Sequence, residues 1–361
     1  MRADRWAEDA LATLRGLVAI PSPSGDERRA AGWLADRMTA LGYRTGIDAV
    51  GNVVGELGSG RTTIMMVGHI DTVPGELPVR QAGDVLFGRG SVDAKGPLAA
   101  MVHAGARAAA ELTDARLVVI GAVDEERVSR GARYLCASMD RPDVLLIGEP
   151  SGVASVVVGY KGMLRFEYRV RRPPAHSSSP AERAVEVAAD VWLSTRGTLV
   201  ADGPDLSAFR RAIPALLALD GDPTSARARI ACRTPEGFNV ESFLDRVRGL
   251  ADGGEITVLE RVPAVRTSRA DPLVRALTSA VRRVAGVATA KVKLGTSDMN
   301  VLVPHWGVPA VAYGPGDSAL DHTDDEHLRL DEYLLAIDVL TEALPAIAAV
   351  PAGFRASAMG G

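Results

Sequence analysis

The sequence predicts an α/β protein whose mostly parallel sheet is interrupted by a smaller α+β domain, and three observations carry that reading. Apolar runs of the kind buried on both faces of a parallel sheet, Thr62–Val67, Leu117–Val123 and Val144–Gly148, alternate with helical segments. After about residue 155 the rhythm changes: Phe166, Tyr168 and Val170 share one face, and Arg165, Glu167, Arg169 and Arg171 the other, as in an antiparallel strand with one wet side. From about residue 266 the longer α/β pattern resumes, and 361 residues exceed one ordinary core. The expected division is 1–158 and 266–361 for the two segments of the α/β domain, with 159–265 as the insertion.

In chain order, Leu11, Leu14, Leu17 and Val18 lie at helical spacing over 5–20, and Pro21 stops that helix. Ser24-Gly-Asp-Glu27 reads as a capping box opening a helix through Trp33, Leu34, Met38 and Leu41, with Gly42 at its end. Strands Asn52–Leu57 and Thr62–Val67 follow, then an Ala-rich helix over 95–112, a strand Leu117–Val123, a helix Gly131–Met139 and a strand Val144–Gly148. In the insertion the pattern predicts a helix over 180–195, an irregular stretch through Pro214, a strand near Arg227–Arg233 and a helix over 239–250. A helix over 271–285, a strand Val308–Tyr313 and a helix over 331–349 complete the chain; the tail Pro351–Gly361 is expected to fray.

With 47% hydrophobic and 24% charged residues, the composition is that of a folded globular chain, not a disordered one. A net charge of -4 gives no global field for nucleic acid. No apolar run approaches the roughly 20 residues of a membrane helix, and Met1–Glu8 has no signal-peptide core. Cys136 and Cys232 form no CxxC pair, which excludes a disulfide framework and a cysteine zinc finger and fits a reducing cytoplasm. Only Lys95, Lys161, Lys291 and Lys293 are lysine among 41 basic residues, an arginine bias that codon usage explains.

The chemistry-bearing residues fall at strand ends. In Gly68-His69-Ile-Asp71, the histidine and aspartate two apart point to one side of an extended segment, so an imidazole can bind a metal while a carboxylate orients it. Asp93 lies just before a helix, Glu125-Glu126 follow a buried strand, Glu149 ends another, and His322 precedes the last helix. Each alone has an ordinary structural explanation: a strand-end pair, an N-cap, a solvated acidic turn. Together they place imidazoles and carboxylates at the carboxyl ends of one sheet, where such folds bind ligands. Histidines and carboxylates without thiolates suit two zinc ions, which can activate a water and polarise a carbonyl.

GHIDTVP, GRGSVDAKG, VDEE, IGEP and DHTDDE, in this order and spacing, resemble the dinuclear zinc peptidase and deacylase family that includes aminoacylases, acetylornithine deacetylase and succinyl-diaminopimelate desuccinylase. The resemblance covers essentially the whole chain. GEPSG with VVVGYKG, GTSDMN and AYGPGDSALDHT look most like the members that free lysine or ornithine from an amino-group carrier protein. It implies a zinc peptidase-like catalytic domain with an inserted lid and dimerisation domain. Two zinc ions are implied, with cobalt as an alternative: His69, Asp93 and Glu149 on one, and Asp93, Glu126 and His322 on the other. It further implies Asp71 holding His69, Glu125 as general base, a cis Asp93–Ala94 bond, and His176 of a partner subunit stabilising the oxyanion. Ala94 and Pro97 depart from the commoner family text, in the loop and not at ligand positions.

Around the substrate, Arg233 matches a carboxylate-gripping arginine, with a structural ion pair as its rival. Gly295, Thr296, Asp298 and Gly316 lie in two Gly-containing loops that are candidates for surrounding the leaving amino acid, with Asp298 the candidate charge near its side-chain amine and ordinary turns as the plainer reading. The arginines of 165–172 are a candidate docking face for a small acidic carrier, against the plainer reading of an exposed sheet. His103 is expected to be solvated, and His305 and His327 structural. The expected activity is release of lysine, ornithine or a related diamino acid from the C-terminal glutamate of the carrier. A small-molecule N-acyl amino acid deacylase is the alternative, and a non-catalytic binding protein on the same fold a remote one.

Overall fold

The computed structural model describes residues 2–201, 207–251 and 253–350, so the tail Pro351–Gly361 lies outside the described residues. The chain forms two compact units. The first comprises Met1–Gly159, Thr267–Lys291 and Ser297–Gly361; the second comprises Tyr160–Arg266 and Val292–Thr296.

In the first unit the sheet runs in the order Arg44–Ile47, Val53–Leu57, Ala115–Ala122, Thr62–His69, Val144–Gly148, Ala310–Ala312, Ser155–Tyr160. Its centre is parallel: Thr62–His69 pairs in parallel with both Ala115–Ala122 and Val144–Gly148, and Ala310–Ala312 continues beside Val144–Gly148. The flanking pairings are antiparallel. Strands buried on both faces explain the continuous apolar runs.

Three glycines decide how closely the helix Lys95–Ala108 approaches. Gly68 pairs with Gly121 on one side and Gly148 on the other. A Cβ at Gly121 would stand 3.3 Å from Leu98 Cδ2, besides 2.8 Å from Ile70 and Leu34 side-chain atoms, and one at Gly148 would stand 2.9 Å from Met101 Sδ. A Cβ at Gly68 would come within 3.1 Å of Leu98. The glycine layer therefore seats the helix, and with it the preceding Asp93 loop, directly on the sheet. Helices Arg2–Val18 and Leu330–Ala348 pack over the helix from outside.

That second layer corrects one expectation. His103 is buried at 4% exposure, not solvated, because the side of its helix turned from the sheet is covered. Its Nε2 lies 2.7 Å from Thr13 Oγ1, and burial lowers its pKa to about 4. A second correction concerns Ser24. The helix Arg28–Ala40 starts at an N-cap Glu27 with no side-chain cap bond, and the Ser24 hydroxyl donates to Asp71 Oδ2 at 2.7 Å. The helix Pro272–Ala285 follows the sequence signals: Asp271 accepts from Leu273 N at 2.8 Å, Pro272 opens it, and Gly286 closes it at φ 79°.

The second unit is a four-stranded antiparallel sheet in the order Ile213–Gly221, Ser225–Thr234, Gly162–Arg171, Glu255–Val262. Helices Ala184–Ala201 and Val240–Leu250 contribute to its apolar core with Leu164, Phe166, Tyr168 and Ile230. The irregular stretch ends earlier than expected: residues 207–212 form no strand, and Pro214 already lies in an edge strand, Ile213–Gly221, a position that tolerates proline. Arg165, Arg169 and Arg171 are exposed on the other face, while Glu167 is buried there in an ion pair with Arg169. His305 lies in a helix, Met299–Trp306, and is exposed.

Candidate active site

Three parallel strands deliver acid and imidazole to one edge of the first unit. His69 is the last residue of Thr62–His69, Glu125 and Glu126 follow Ala115–Ala122, and Glu149 follows Val144–Gly148. Asp93 arrives on the loop ahead of Lys95–Ala108, where the Asp93–Ala94 bond is cis. His322 lies in a turn before the strand His327–Arg329. Among the described residues, the non-glycine positions with positive φ are Asp124 (64°), Ser129 (51°) and His322 (64°), all on these loops. Such backbone is sparsely populated and persists where surrounding contacts enforce it.

Asp93 stands between the two imidazoles. Its Oδ1 is 3.2 Å from His69 Nε2 and its Oδ2 is 3.1 Å from His322 Nε2. His69 Nε2 lies 3.9 Å from Glu149 Oε1, and His322 Nε2 lies 2.9 Å from Glu126 Oε1. Ligand atoms of His69, Asp93 and Glu126 lie within 4.8 Å of one another, close enough to hold a metal ion.

The electrostatics of the cluster call for added positive charge. Hydrogen bonds to Asp93 and Glu126 raise the His322 pKa to about 10. Burial opposes charge on His69, yet Asp93, Glu125 and Asp71 raise its pKa well above the usual imidazole value. Burial would raise Asp93, but hydrogen bonds from His322 and His69 hold its carboxyl well below the ordinary range. Carboxylates that draw this much positive character onto neutral-range imidazoles form a donor set suited to divalent cations. Glu125 is pushed well above the usual carboxylate range, first by burial and then by Glu149, Asp298 and Glu126 against the opposing effect of His69. A raised carboxyl is the type of group that general acid–base chemistry uses.

Asp71 does more than face His69. The Nδ1 of His69 lies 2.9 Å from the Asp71 backbone carbonyl and 3.6 Å from its carboxylate. The carboxylate instead accepts from the backbone N–H groups of Glu125 and Glu126, each at 3.1 Å. One buried residue thus orients an imidazole through its carbonyl and the acidic turn through its side chain.

Asp298 is buried, with its carboxyl raised to about 6 by burial; Ser129 bonds to it, and Oδ1 has no hydrogen-bond partner. Gly316 holds φ 99°, and its N–H donates to Glu332 Oε1 at 3.1 Å. His176, Arg233, Gly295 and Thr296 belong to the second unit. His176 is exposed, with Nδ1 2.8 Å from Ser178 Oγ. Arg233 Nη1 donates to Thr296 Oγ1 at 3.2 Å; burial and then Arg165 lower its pKa, against the opposing effect of Glu260. Gly295 has open space where a Cβ would stand.

Two residues at the cluster were not singled out from sequence. Glu326, 1% exposed, accepts from the backbone of Val92 and Asp93, and Arg89 donates to its other oxygen. The signal available was the acid run at the end of the His322 motif, but Asp324, Asp325 and Glu326 look alike there. Only burial separates them: the first two side chains are exposed.

Residues 65–346 match the model of peptidase family M20/M25/M40. The chain belongs to this family. It is accordingly a hydrolase acting on an amide bond. The chain is 43% identical over 354 residues to a LysW-lysine hydrolase of Deinococcus radiodurans, covering 94% of this chain and 97% of that one. A putative LysW-lysine/LysW-ornithine hydrolase of Pyrococcus abyssi is 39% identical over 93% of this chain and 94% of its own length. In fold, the M20 family metallo-carboxypeptidase of Sulfolobus solfataricus superposes with a TM-score of 0.78 at 19% identity, covering 94% of this chain and 99% of the other. A dinuclear metal-binding M20 peptidase of Bacillus subtilis gives 0.71 at 15% identity, over 96% and 99%. The M20 family includes dinuclear metal-binding peptidases, and a His/Asp/Glu cluster that could hold a metal is present in this member. Among the described residues no helix is long and apolar enough to cross a membrane.

Proposed function

We propose that this chain is a two-zinc hydrolase that frees lysine, ornithine or a related diamino acid from the C-terminal glutamate of a small amino-group carrier protein. The observation that carries the reading is near full-length likeness, at 43% identity, to a LysW-lysine hydrolase, in a chain whose clustered imidazoles and carboxylates suit a metal pair. In this reading His69, Asp93 and Glu149 would hold one ion, and Asp93, Glu126 and His322 the other; Asp93 Oδ1 lies beside His69 and Oδ2 beside His322. When bound, the ions supply Lewis acidity that activates a water and polarises the scissile carbonyl.

The chain's own residues handle protons and position. Glu125 accepts the proton of the attacking water at its carboxylate, and Asp71 fixes the Glu125 backbone during that transfer. The water oxygen bonds to the scissile carbonyl carbon, the amide C–N bond then breaks, Glu125 returns its proton to the leaving amine, and the new carboxylic acid of the carrier glutamate ionises by releasing the second water proton. His176, with Nδ1 turned to Ser178, would present Nε2 to the oxyanion from a partner subunit of a homodimer. Arg233, bonded to Thr296, is the candidate grip for a substrate carboxylate, with Gly295 in the adjoining loop. Asp298 is the candidate partner for the amine of the released amino acid, which would draw its raised carboxyl towards the charged form.

Side-by-side kinetics with a carrier-linked lysine and with acetylornithine test the substrate. The reading expects kcat/KM to favour the carrier-linked amide. Turnover of acetylornithine alone would replace it with a small-molecule deacylase.

A further inference from the structure

Asp93 and His322 are 229 residues apart in sequence, yet both loops converge on one buried ion pair. Glu326 Oε1 accepts from Val92 N at 3.0 Å and from Asp93 N at 3.1 Å. Its Oε2 accepts from Arg89 Nη1 at 2.9 Å. That same Nη1 donates at 2.8 Å to the carbonyl of Thr323, the residue after His322, and Arg89 Nε donates to Gly75 O at 3.2 Å. The backbone closes the ring, since Gly88 N donates to Glu326 O at 3.2 Å. Glu326 is 1% exposed and the Arg89 side chain 11%, so these contacts are shielded from solvent. A half-satisfied pair in such a place would be costly, and here both carboxylate oxygens are used.

From this we infer that Glu326, held by Arg89, is a positioning residue that locks the Asp93 loop to the His322 loop and so sets the metal affinity of the site those two residues share. The inference rests on the metal-binding reading of the cluster. Glu326 touches neither substrate nor metal in this account; it acts through the backbone N–H of Asp93 and, by way of Arg89, through the carbonyl beside His322. The chemistry demands a carboxylate. Glutamine has one acceptor oxygen, so in Glu326→Gln its amide N–H₂ must face either the two backbone donors or the Arg89 guanidinium. Lysine in Arg89→Lys keeps the charge but cannot serve Glu326, Thr323 and Gly75 with one fork.

The test measures zinc or cobalt binding to the full chain by competition with a chromogenic chelator, with circular dichroism to establish folding. Wild type should bind two ions. Folded Glu326→Gln should hold the ion shared by Asp93 and His322 about 10–100-fold more weakly, the usual range for loss of an outer partner. The more weakly affected ion should remain, and Arg89→Lys should show the same selective loss to a lesser degree. The cobalt absorption of the weakened site should change as well, which general destabilisation would not produce. Two ions bound with wild-type affinity in both variants would overturn the positioning role while leaving the hydrolase reading intact. Failure of both variants to fold would also overturn it, making the pair a requirement of folding and not of metal geometry. A wild-type chain that binds no divalent metal would instead strike the reading on which the inference stands.

Discussion

In the proposed mechanism Glu125 carries the proton, and its substitution separates metal binding from catalysis. Glu125→Gln should retain wild-type metal content by elemental analysis while turnover falls by about 10²–10⁴-fold, the usual contribution of a general acid–base group. Equal turnover would remove Glu125 from the mechanism. The candidate residues were legible because each follows a buried run or precedes a helix, and chain order alone put them at one sheet edge. What sequence could not show was the division of labour at Asp71. Its carboxylate reaches the Glu125 and Glu126 amides because the turn folds back over the strand end, a path set by Asp124 in left-handed backbone. Glu326 was hidden for a related reason: sequence does not tell which acid of a run is turned inward.

At the scale of the element, the helix Lys95–Ala108 follows the Asp93 loop and lies between two layers. A Cβ at Gly96 would stand 2.3 Å from the Ser91 carbonyl and 2.7 Å from Leu328. Gly96→Ala should therefore push the helix start off the Asp93 loop and cost about 1–3 kcal/mol in chemical denaturation. The same helix provides an acid-sensitive contact. His103 titrates at about 4 in the fold and near 6.5 when unfolded, so below pH 6.5 the unfolded chain takes up a proton that the folded chain does not. Stability should fall as pH drops from 6.5 towards 4, and His103→Gln should flatten that part of the stability–pH curve; identical slopes would show that His103 does not titrate in this way. The stripe pattern misplaced His103 because an amphipathic reading assumes one covered face, and this helix has two. Edge strands escaped notice for the opposite reason: Ile213–Gly221 contains Pro214, and Glu255–Val262 has a bulge between Val258 and Glu260, so neither keeps a clean alternation.

For the whole molecule, the insertion of an antiparallel unit into a parallel α/β unit was readable from the switch of hydrophobic period. Its residues 292–296 were not, since a short segment returning to the second unit leaves no periodic signal. The proposed homodimer makes a further expectation: His176→Ala should lose about 10²–10³-fold in kcat. Mixing it with Glu125→Gln should restore turnover, because one site of the mixed dimer has Glu125 from one subunit and His176 from the other. Mixtures no more active than their components would place His176 outside the partner's site. The most direct test of the central claim is the intact mass of a carrier protein bearing lysine on its C-terminal glutamate, followed with metal-loaded enzyme. The account predicts loss of one lysyl residue and appearance of free lysine, abolished by a chelator and by Glu125→Gln; an unchanged carrier mass with fully metal-loaded wild type would contradict it.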